Sequence, residues 1–242
     1  MGRQHTVHIG TSGWSYNHWK ENFYPSKMPS KHWLNFYAEV FPIVEINTTF
    51  YRAPLPTTTE KWFNEVPNNF QFAIKASRYI THRKRLKDCA DSLAFFYQSI
   101  QRLLPKAGPI LFQLPPFFQM DQERLETFIG LLKTDYRYTF EFRHETWFTD
   151  KIYKILAEHN IALCITDLSG KLSPEEITAD FTYLRLHGPH KAYQGSYGPV
   201  KLKAWHKKIN HLLESGKEVY CFFDNDEKGY AIEDAKFLLK QF

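Results

Sequence analysis

Residues 138–166 read YTFEFRHETWFTDKIYKILAEHNIALCIT and contain a strand, a helix and the next strand. The apolar runs at 138–142 and 162–166 are short, which is typical of buried strands. Between them, residues 150–159 place apolar side chains three and four positions apart, as an amphipathic helix does. The segment therefore predicts one strand–helix–strand unit.

The same alternation runs along the whole chain. Strands are predicted at 7–10, 43–47, 70–75, 110–114, 138–142, 162–166, 183–187 and 219–223. Helices are predicted at 31–41, 57–65, 88–104, 121–133, 150–159, 199–215 and 229–240, with only a short one beginning at 173–176. Eight such units in 242 residues favour an α/β fold, a TIM-type (β/α)8 barrel, because a doubly wound sheet seldom needs eight parallel strands in so short a chain. We expect residues 1–242 to form a single TIM-barrel domain.

Composition excludes several classes of protein. Hydrophobic residues make up 43% of the chain, which is enough for a large core and excludes a disordered chain. No run approaches the roughly 18 consecutive apolar residues of a membrane span. The three cysteines are far apart and show no CxxC spacing, so they predict neither disulfides nor a zinc site. Residues 1–5 show no apolar segment of a signal peptide, and we expect a cytoplasmic protein with reduced thiols.

Positive charge is localised. The net charge is +5, and residues 75–87 contain six Lys or Arg and no acid. Residues 185–217 contain seven Lys or Arg against the single acid Glu214. This distribution is compatible with an anionic ligand and predicts no membrane partner.

The chemistry of a TIM barrel lies at the carboxyl ends of its strands, and six motifs stand there in this chain. They are GTSGWSY at 10–16, EINTTFYR at 45–52, QLPPFF at 113–118, EFRHETW at 141–147, RLHG at 185–188 and FDNDEKGYA at 223–231. In this order they resemble the YecE-like family, also called domain of unknown function 72. The resemblance implies a TIM-type barrel, and it brings no activity and no agreed catalytic residues.

The chain departs from the pattern of that family at two positions. Thr48 stands where the family more often has serine, and Asp224 stands where asparagine is expected. The first change keeps a hydroxyl group, and the second adds a negative charge to the end of the eighth strand.

Arginines at strand ends are the strongest predicted feature of a binding site. Guanidinium groups near one mouth repel one another unless carboxylates or an anionic ligand neutralise them, and their planar forks suit phosphate. Two interpretations stay open: an anion site, or internal pairing with Glu45, Glu141 and Asp167. The four arginines are Arg52, Arg78, Arg143 and Arg185.

Carboxylates and one imidazole at strand ends allow a metal hypothesis, in which a divalent ion activates water at a phosphodiester. The metal candidates are Glu45, Glu141, Asp167, His187 and Asp224. As an enzyme, the protein would use Glu141 or Asp167 as general base or metal ligand and His187 as general acid or ligand. Against a metal, HxH and HExxH spacings are absent, and the arginines compete for the same carboxylates.

Aromatic and amide side chains complete the predicted site. A glycine-rich loop at 188–198 leads into a predicted helix, which is where TIM barrels often bind phosphate. Aromatic residues in loops are candidates for stacking on a base. Besides the arginines and Glu45, the predicted ligand-binding residues are Trp14, Asn47, Tyr51, Tyr193, Tyr197 and Asn225.

The sequence thus predicts a barrel that binds a phosphate-bearing ligand, namely a nucleotide, a nucleic acid or a sugar phosphate, at the C-terminal face of its strands. Metal-assisted phosphoester hydrolysis is one form of this hypothesis. The alternative is a nucleic-acid-binding protein that uses the same basic and aromatic residues without turnover, and a third possibility is a purely structural mouth. The sequence leaves the oligomeric state open and does not decide whether the protein is an enzyme.

Overall fold

A computed structural model describes residues 6–242. The long strands are β1 Val7–Thr11, β2 Ile43–Ile46, β3 Gln71–Lys75, β4 Ala107–Gln113, β5 Tyr138–Glu141, β6 Ala162–Leu168, β7 Phe181–Leu186 and β8 Glu218–Phe223. The α-helices are α1 Trp33–Ala38, α2 Thr48–Tyr51, α3 Pro56–Glu65, α4 Ala90–Ile100, α5 Gln122–Ile129, α6 Asp150–Glu158, α7 Gly198–Glu214 and α8 Tyr230–Leu239.

The order of these elements confirms the predicted fold class, an α/β barrel of the TIM type. All eight predicted strands and all seven long helices are present, with ends that differ by a few residues. The strand pairs β1–β8, β7–β8, β3–β4, β4–β5 and β5–β6 are parallel. The domain extent of residues 1–242 stays a prediction, and the expectation about a signal peptide concerns residues 1–5, outside the described residues.

The described chain divides into two compact units. The first unit contains residues 6–45, 165–175 and 180–242, and the second unit contains residues 46–164 and 176–179.

In the first unit, β8 pairs with β1 and with β7, so that Arg185 is in register with Phe222. Tyr183 and Arg185 are two positions apart on β7, and side chains at this spacing point to the same face of a sheet. Beyond the end of β1, Ser12 forms an isolated parallel bridge with Glu45 of β2. The carboxyl ends of β1, β2 and β7 thereby bring polar side chains together within an apolar core.

In the second unit, β4 lies between β3 and β5. Lys75 is in register with Leu111, and Gln113 is in register with Glu141, so Lys75 and Glu141 both stand at carboxyl ends of strands. The pairing of β3 with β4 shifts in register between Phe72 and Ile74. A five-residue π-helix, Tyr79–Arg83, follows β3. Single π turns are rare and occur often at functional sites.

The short helix predicted at 173–176 is not present, and this prediction was wrong. A two-residue strand, Lys171–Leu172, turns back antiparallel on β6. The backbone N–H of Ser173 donates to the Thr166 carbonyl at 2.9 Å, and the Thr166 N–H donates to the Ser173 hydroxyl at 2.9 Å. Because the backbone N–H and the hydroxyl of Ser173 are both hydrogen-bonded to Thr166 of β6, this residue is not available to start a helix.

Within residues 6–242, no helix combines the length and the apolar character needed to cross a membrane. The cytoplasmic location stays a prediction.

Gly10 is required by the close approach of β1 to β2. A Cβ atom at Gly10 would lie 2.2 Å from the backbone oxygen of Ile43. We expect Gly10→Ala to lower the free energy of unfolding by about 2 kcal/mol or more, because a strand would have to shift. The measurement is urea denaturation.

Gly130→Ala is the matched control. Gly130 has a helical φ of −61°, and a Cβ there would meet atoms only at 3.5 Å and beyond. This variant should be neutral or slightly more stable, since alanine has less conformational entropy to lose. Equal losses in both variants would contradict the explanation.

Candidate functional site

The centre of the polar cluster in the first unit is an ion pair between Arg185 and Glu45. Arg185 Nε lies 3.0 Å from Glu45 Oε2, and Arg185 Nη2 lies 2.6 Å from Oε1. Both side chains are buried, with exposures of 1% and 0%. Tyr183 donates its hydroxyl to Oε2 at 2.7 Å, and Ser12 donates to Oε1 at 2.9 Å. The carboxylate is therefore fully hydrogen-bonded, as a buried charge must be.

This cluster continues from Arg185 to His187 and Asp224. Arg185 Nη1 lies 3.3 Å from His187 Nε2, and His187 Nδ1 lies 3.0 Å from Asp224 Oδ2. A guanidinium can only donate, so we assign the imidazole proton to Nδ1, which donates to Asp224. Asp224 is 18% exposed and is the end of the cluster that reaches solvent.

Three of the five predicted metal ligands, Glu45, His187 and Asp224, meet around the guanidinium of Arg185. This cation contacts all three side chains, which is the competition that the sequence indicated. In the described part of the chain, no group of three or more His, Cys, Asp and Glu side chains is arranged to hold a metal ion. The structure therefore does not assemble the predicted metal site, and hydrolysis stays a prediction.

Asp167, a predicted catalytic base, ends β6 in the first unit. Its Oδ1 is buried and has no hydrogen-bond partner. Burial raises the pKa of Asp167, and the hydrogen bond from Tyr197 opposes this change. The Tyr197 ring is buried, and its hydroxyl also accepts the Gly188 N–H at 3.1 Å. Tyr197 thus fixes a loop and a carboxylate and offers no open surface for a base.

The predicted phosphate loop at 188–198 binds a carboxylate of the protein itself. Asp234 accepts hydrogen bonds from the Tyr197 N–H at 2.9 Å, from Ser196 Oγ at 2.7 Å and from Asn225 Nδ2 at 2.7 Å. Ser196 and Tyr197 stand at the N-terminus of α7, where an anion is favoured by the helix dipole, and Asn225 follows β8. Asp234 occupies the position that the sequence assigned to phosphate, and Asn225 has a structural partner there.

The remaining aromatic candidates of the first unit differ in exposure. Trp14 is only 8% exposed and belongs to the core, and its carbonyl accepts the Tyr24 hydroxyl at 2.5 Å. Tyr193 is 47% exposed, and its ring lies edge-on to His187 with 5.4 Å between ring centroids. Of these two, only Tyr193 is placed to contact a ligand.

In the second unit, positive charge gathers at the carboxyl ends of β3 and β5. Here we define the cationic group as Lys75, Arg78 and Arg143, whose charges act on His82 together with the carboxylate of Glu141. Arg143 Nε is hydrogen-bonded to Glu141 Oε1, and Glu141 is fully buried. Burial lowers the pKa of His82, and the charges of Lys75, Arg78 and Arg143 lower it further, against Glu141 alone.

Phe50, a residue of α2, packs against the cationic group. The Lys75 ammonium lies 4.3 Å from the centre of the Phe50 ring, and the His82 ring meets the same ring edge-on at 5.0 Å. Thr49 donates its hydroxyl to the Lys75 carbonyl at 2.7 Å. Of the other candidates in this unit, Arg52 and Tyr51 are exposed, and Asn47 keeps a buried Oδ1 without a hydrogen-bond partner.

His82 and Lys75 were missed as site residues by the sequence reasoning. Lys75 was part of the basic run at 75–87, but His82 is one of 11 histidines and shows no diagnostic spacing. Its place beside the cationic group depends on the π-helix, which no residue pattern announced.

Loss of the Glu45 charge should destabilise the protein strongly. In Glu45→Gln the buried guanidinium of Arg185 would lose its closer counterion and keep only Asp224 at 3.4 Å, so we expect the free energy of unfolding to fall by about 3 kcal/mol. Glu158→Gln makes the same chemical change in an exposed pair with Lys154, 3.9 Å apart, and should cost less than about 0.5 kcal/mol. Chemical denaturation of both variants tests this prediction. A similar loss of unfolding free energy in the two variants would refute it.

Asp226 should make stability depend on pH. Burial raises its pKa to about 6, although Trp19 Nε1 donates to Oδ1 at 2.7 Å and His18 also favours the ionised form. Because the folded protein holds this proton more tightly than the unfolded chain, the group adds stability as pH falls from about 7 to about 4, by up to about 2 kcal/mol. The unfolding free energy of the wild type minus that of Asp226→Asn should therefore become more positive as pH falls over that range. A difference that grows toward higher pH would have the wrong sign.

Two proteins of known sequence resemble this chain, one along nearly its whole length and one over part of it. The UPF0759 protein YunF of Bacillus subtilis is 29% identical over 97% of this chain and 94% of its own length. The UPF0759 protein YecE of Escherichia coli K12 is 30% identical over 59% of this chain, and the match spans half of YecE.

Solved structures show the same fold. A DUF72 family protein of Thermotoga maritima superposes with a TM-score of 0.86 at 29% identity, covering 98% of this chain and 99% of that one. A DUF72 family protein of Enterococcus faecalis superposes with a TM-score of 0.83 at 20% identity, covering 97% of this chain and 94% of that one. The family model described as protein of unknown function DUF72 matches residues 8–242, and the chain belongs to this family.

Proposed function

We propose that this protein binds a phosphate-bearing ligand through the cationic group of the second unit. The observation that carries this proposal is the sign of the charges that act on His82: Lys75, Arg78 and Arg143 lower its pKa, and the carboxylate of Glu141 opposes them. Like charges held close together repel one another, and a bound anion relieves that repulsion.

The residue types suit phosphate. Arginine offers a planar fork of donors and lysine offers a compact charge, and both are common partners of phosphate oxygens. The hydrogen bond from Arg143 to Glu141 holds the guanidinium at the end of β5. Because its pKa is lowered, His82 is neutral at neutral pH and can share a hydrogen bond with a ligand without adding a further charge.

Phosphate should raise the pKa of His82, because a bound anion offsets the three cations. Titration of the histidine ring resonances by NMR, with and without inorganic phosphate, measures this effect. His206 lies in α7 of the first unit and is the internal control, whose resonances should not respond to phosphate. An unchanged His82 titration at saturating phosphate would contradict the proposal.

Removal of one cation should weaken phosphate binding. We expect Arg78→Gln to raise the Kd for inorganic phosphate about five- to tenfold, as the loss of one charge-assisted hydrogen bond would. Arg102→Gln removes another exposed positive charge elsewhere in the second unit and is the matched control. Calorimetry on the two variants tests the site, and equal weakening in both would show only a general effect of charge.

A second candidate function, binding of single-stranded nucleic acid, is favoured by the exposed residues that follow the cationic group. Arg83 and Lys84 lie 5.9 and 5.8 Å from the ring centre of Tyr79, which is 47% exposed. Basic side chains beside an open aromatic ring are typical of surfaces that bind single strands. In a salt series with an oligonucleotide, Arg83→Gln should make the slope of log K against log salt shallower by about 0.7.

A further inference from the structure

A cleft of about 390 Å³ lies in the second unit beside the cationic group. Its walls come from α2, from the residues after β3 and from α4. The volume is within the range of about 300–1,000 Å³ that is usual for small-molecule sites. All residues that line the cleft belong to the second unit.

Three aromatic side chains on the cleft are unusually exposed. Tyr51 is 69% exposed, Phe95 is 62% exposed and Tyr79 is 47% exposed. Large aromatic rings gathered at one open cavity mark a place where an apolar, planar group can bind. An inorganic anion or a simple sugar phosphate would leave most of this aromatic surface in water.

The polar side chains of the cleft fit the rest of a nucleoside. Ser77 and Ser92 bring hydroxyl groups, and Asp91 brings one carboxylate that can accept hydrogen bonds from sugar hydroxyls or from an exocyclic amine. Among the described residues of the cleft wall, Arg52 is the one cation, and it can contact a phosphate. The cleft therefore combines stacking surface, hydrogen-bonding groups and a single positive charge.

Phe50 contacts one residue of this cleft and one residue of the cationic group. Its ring meets Tyr51 of the cleft at 5.0 Å and lies under the Lys75 ammonium at 4.3 Å. Ser77 and Tyr79 line the cleft, and Arg78 stands between them in the chain. A ligand with its planar part in the cleft would thus have the cationic group close to its charged end.

We infer that the phosphate-bearing ligand is a nucleotide, with its base and sugar in the cleft and its phosphate toward Arg52 and the cationic group. This inference rests on the proposed function and narrows it from any phosphate ester to a nucleoside phosphate. The base stacks on the exposed aromatic rings, and the sugar hydroxyls meet Asp91 and the two serines.

Affinities for inorganic phosphate, ribose 5-phosphate and AMP, measured by calorimetry at one ionic strength, test the inference. AMP should bind about tenfold more tightly than ribose 5-phosphate, because only AMP has a base to stack. Phe95→Ala should remove most of this advantage and leave the affinity for ribose 5-phosphate unchanged. Phe95 is on the surface, so this variant should fold normally. Phe117→Ala removes a ring that is 66% exposed and lies outside the cleft, and it should change neither affinity.

The outcomes separate this inference from the proposal beneath it. Equal binding of AMP and ribose 5-phosphate, both sensitive to Arg78→Gln, would overturn the nucleotide and leave the phosphate site standing. Binding of none of the three compounds would overturn both. A short oligonucleotide that binds far more tightly than AMP, and loses that affinity in Phe95→Ala, would overturn a free nucleotide in favour of a nucleotide within a single strand.

Discussion

The burial of the Glu45 carboxylate is the constraint on which the polar part of the first unit depends. A charge without access to water is stable only when other groups replace its hydration, and here a guanidinium and two hydroxyl groups do so. Those three partners come from β7 and from the residue after β1, while Glu45 itself belongs to β2. One carboxylate thereby fixes the positions of three strand ends, and it sets the orientation of Arg185 from which His187 and Asp224 take theirs.

The second unit handles its arginines in another way. Glu141 is as deeply buried as Glu45, but it pairs with Arg143 in a region where Lys75 and Arg78 also act on His82. Two arginines near strand ends, Arg185 within β7 and Arg143 two residues after β5, therefore differ in their surroundings. Arg185 is paired with carboxylates inside the internal cluster, whereas Arg143 belongs to the cationic group. Our proposal of a ligand-binding role for Arg143 and not for Arg185 therefore rests on local charge balance and not on the residue type.

The fold was largely predictable, because the period of apolar residues in each strand and helix is a property of a few neighbouring positions. The segment at 173–176 failed for the opposite reason: Ser173 pairs with Thr166, and a contact between separate segments outweighed the local helix signal. The site was predictable only as a set of strand-end residues. Which carboxylate meets which arginine, and that Asp234 reaches the loop at 188–198, depends on contacts between distant positions. His82 was hidden because a π turn has no pattern in the sequence that we could recognise.

The contact between Asp234 of α8 and the start of α7 has a consequence for how the loop at 188–198 becomes ordered during synthesis. Ser196 donates its hydroxyl to Asp234, which is synthesised 38 residues later and lies on the last helix of the described chain. While the protein emerges from the ribosome, the Ser196 hydroxyl and the Tyr197 N–H do not yet have Asp234 as their acceptor. Its final shape is therefore reached only when α8 has been made and has docked. The glycine-rich loop is thus among the last parts of the first unit to become ordered during synthesis.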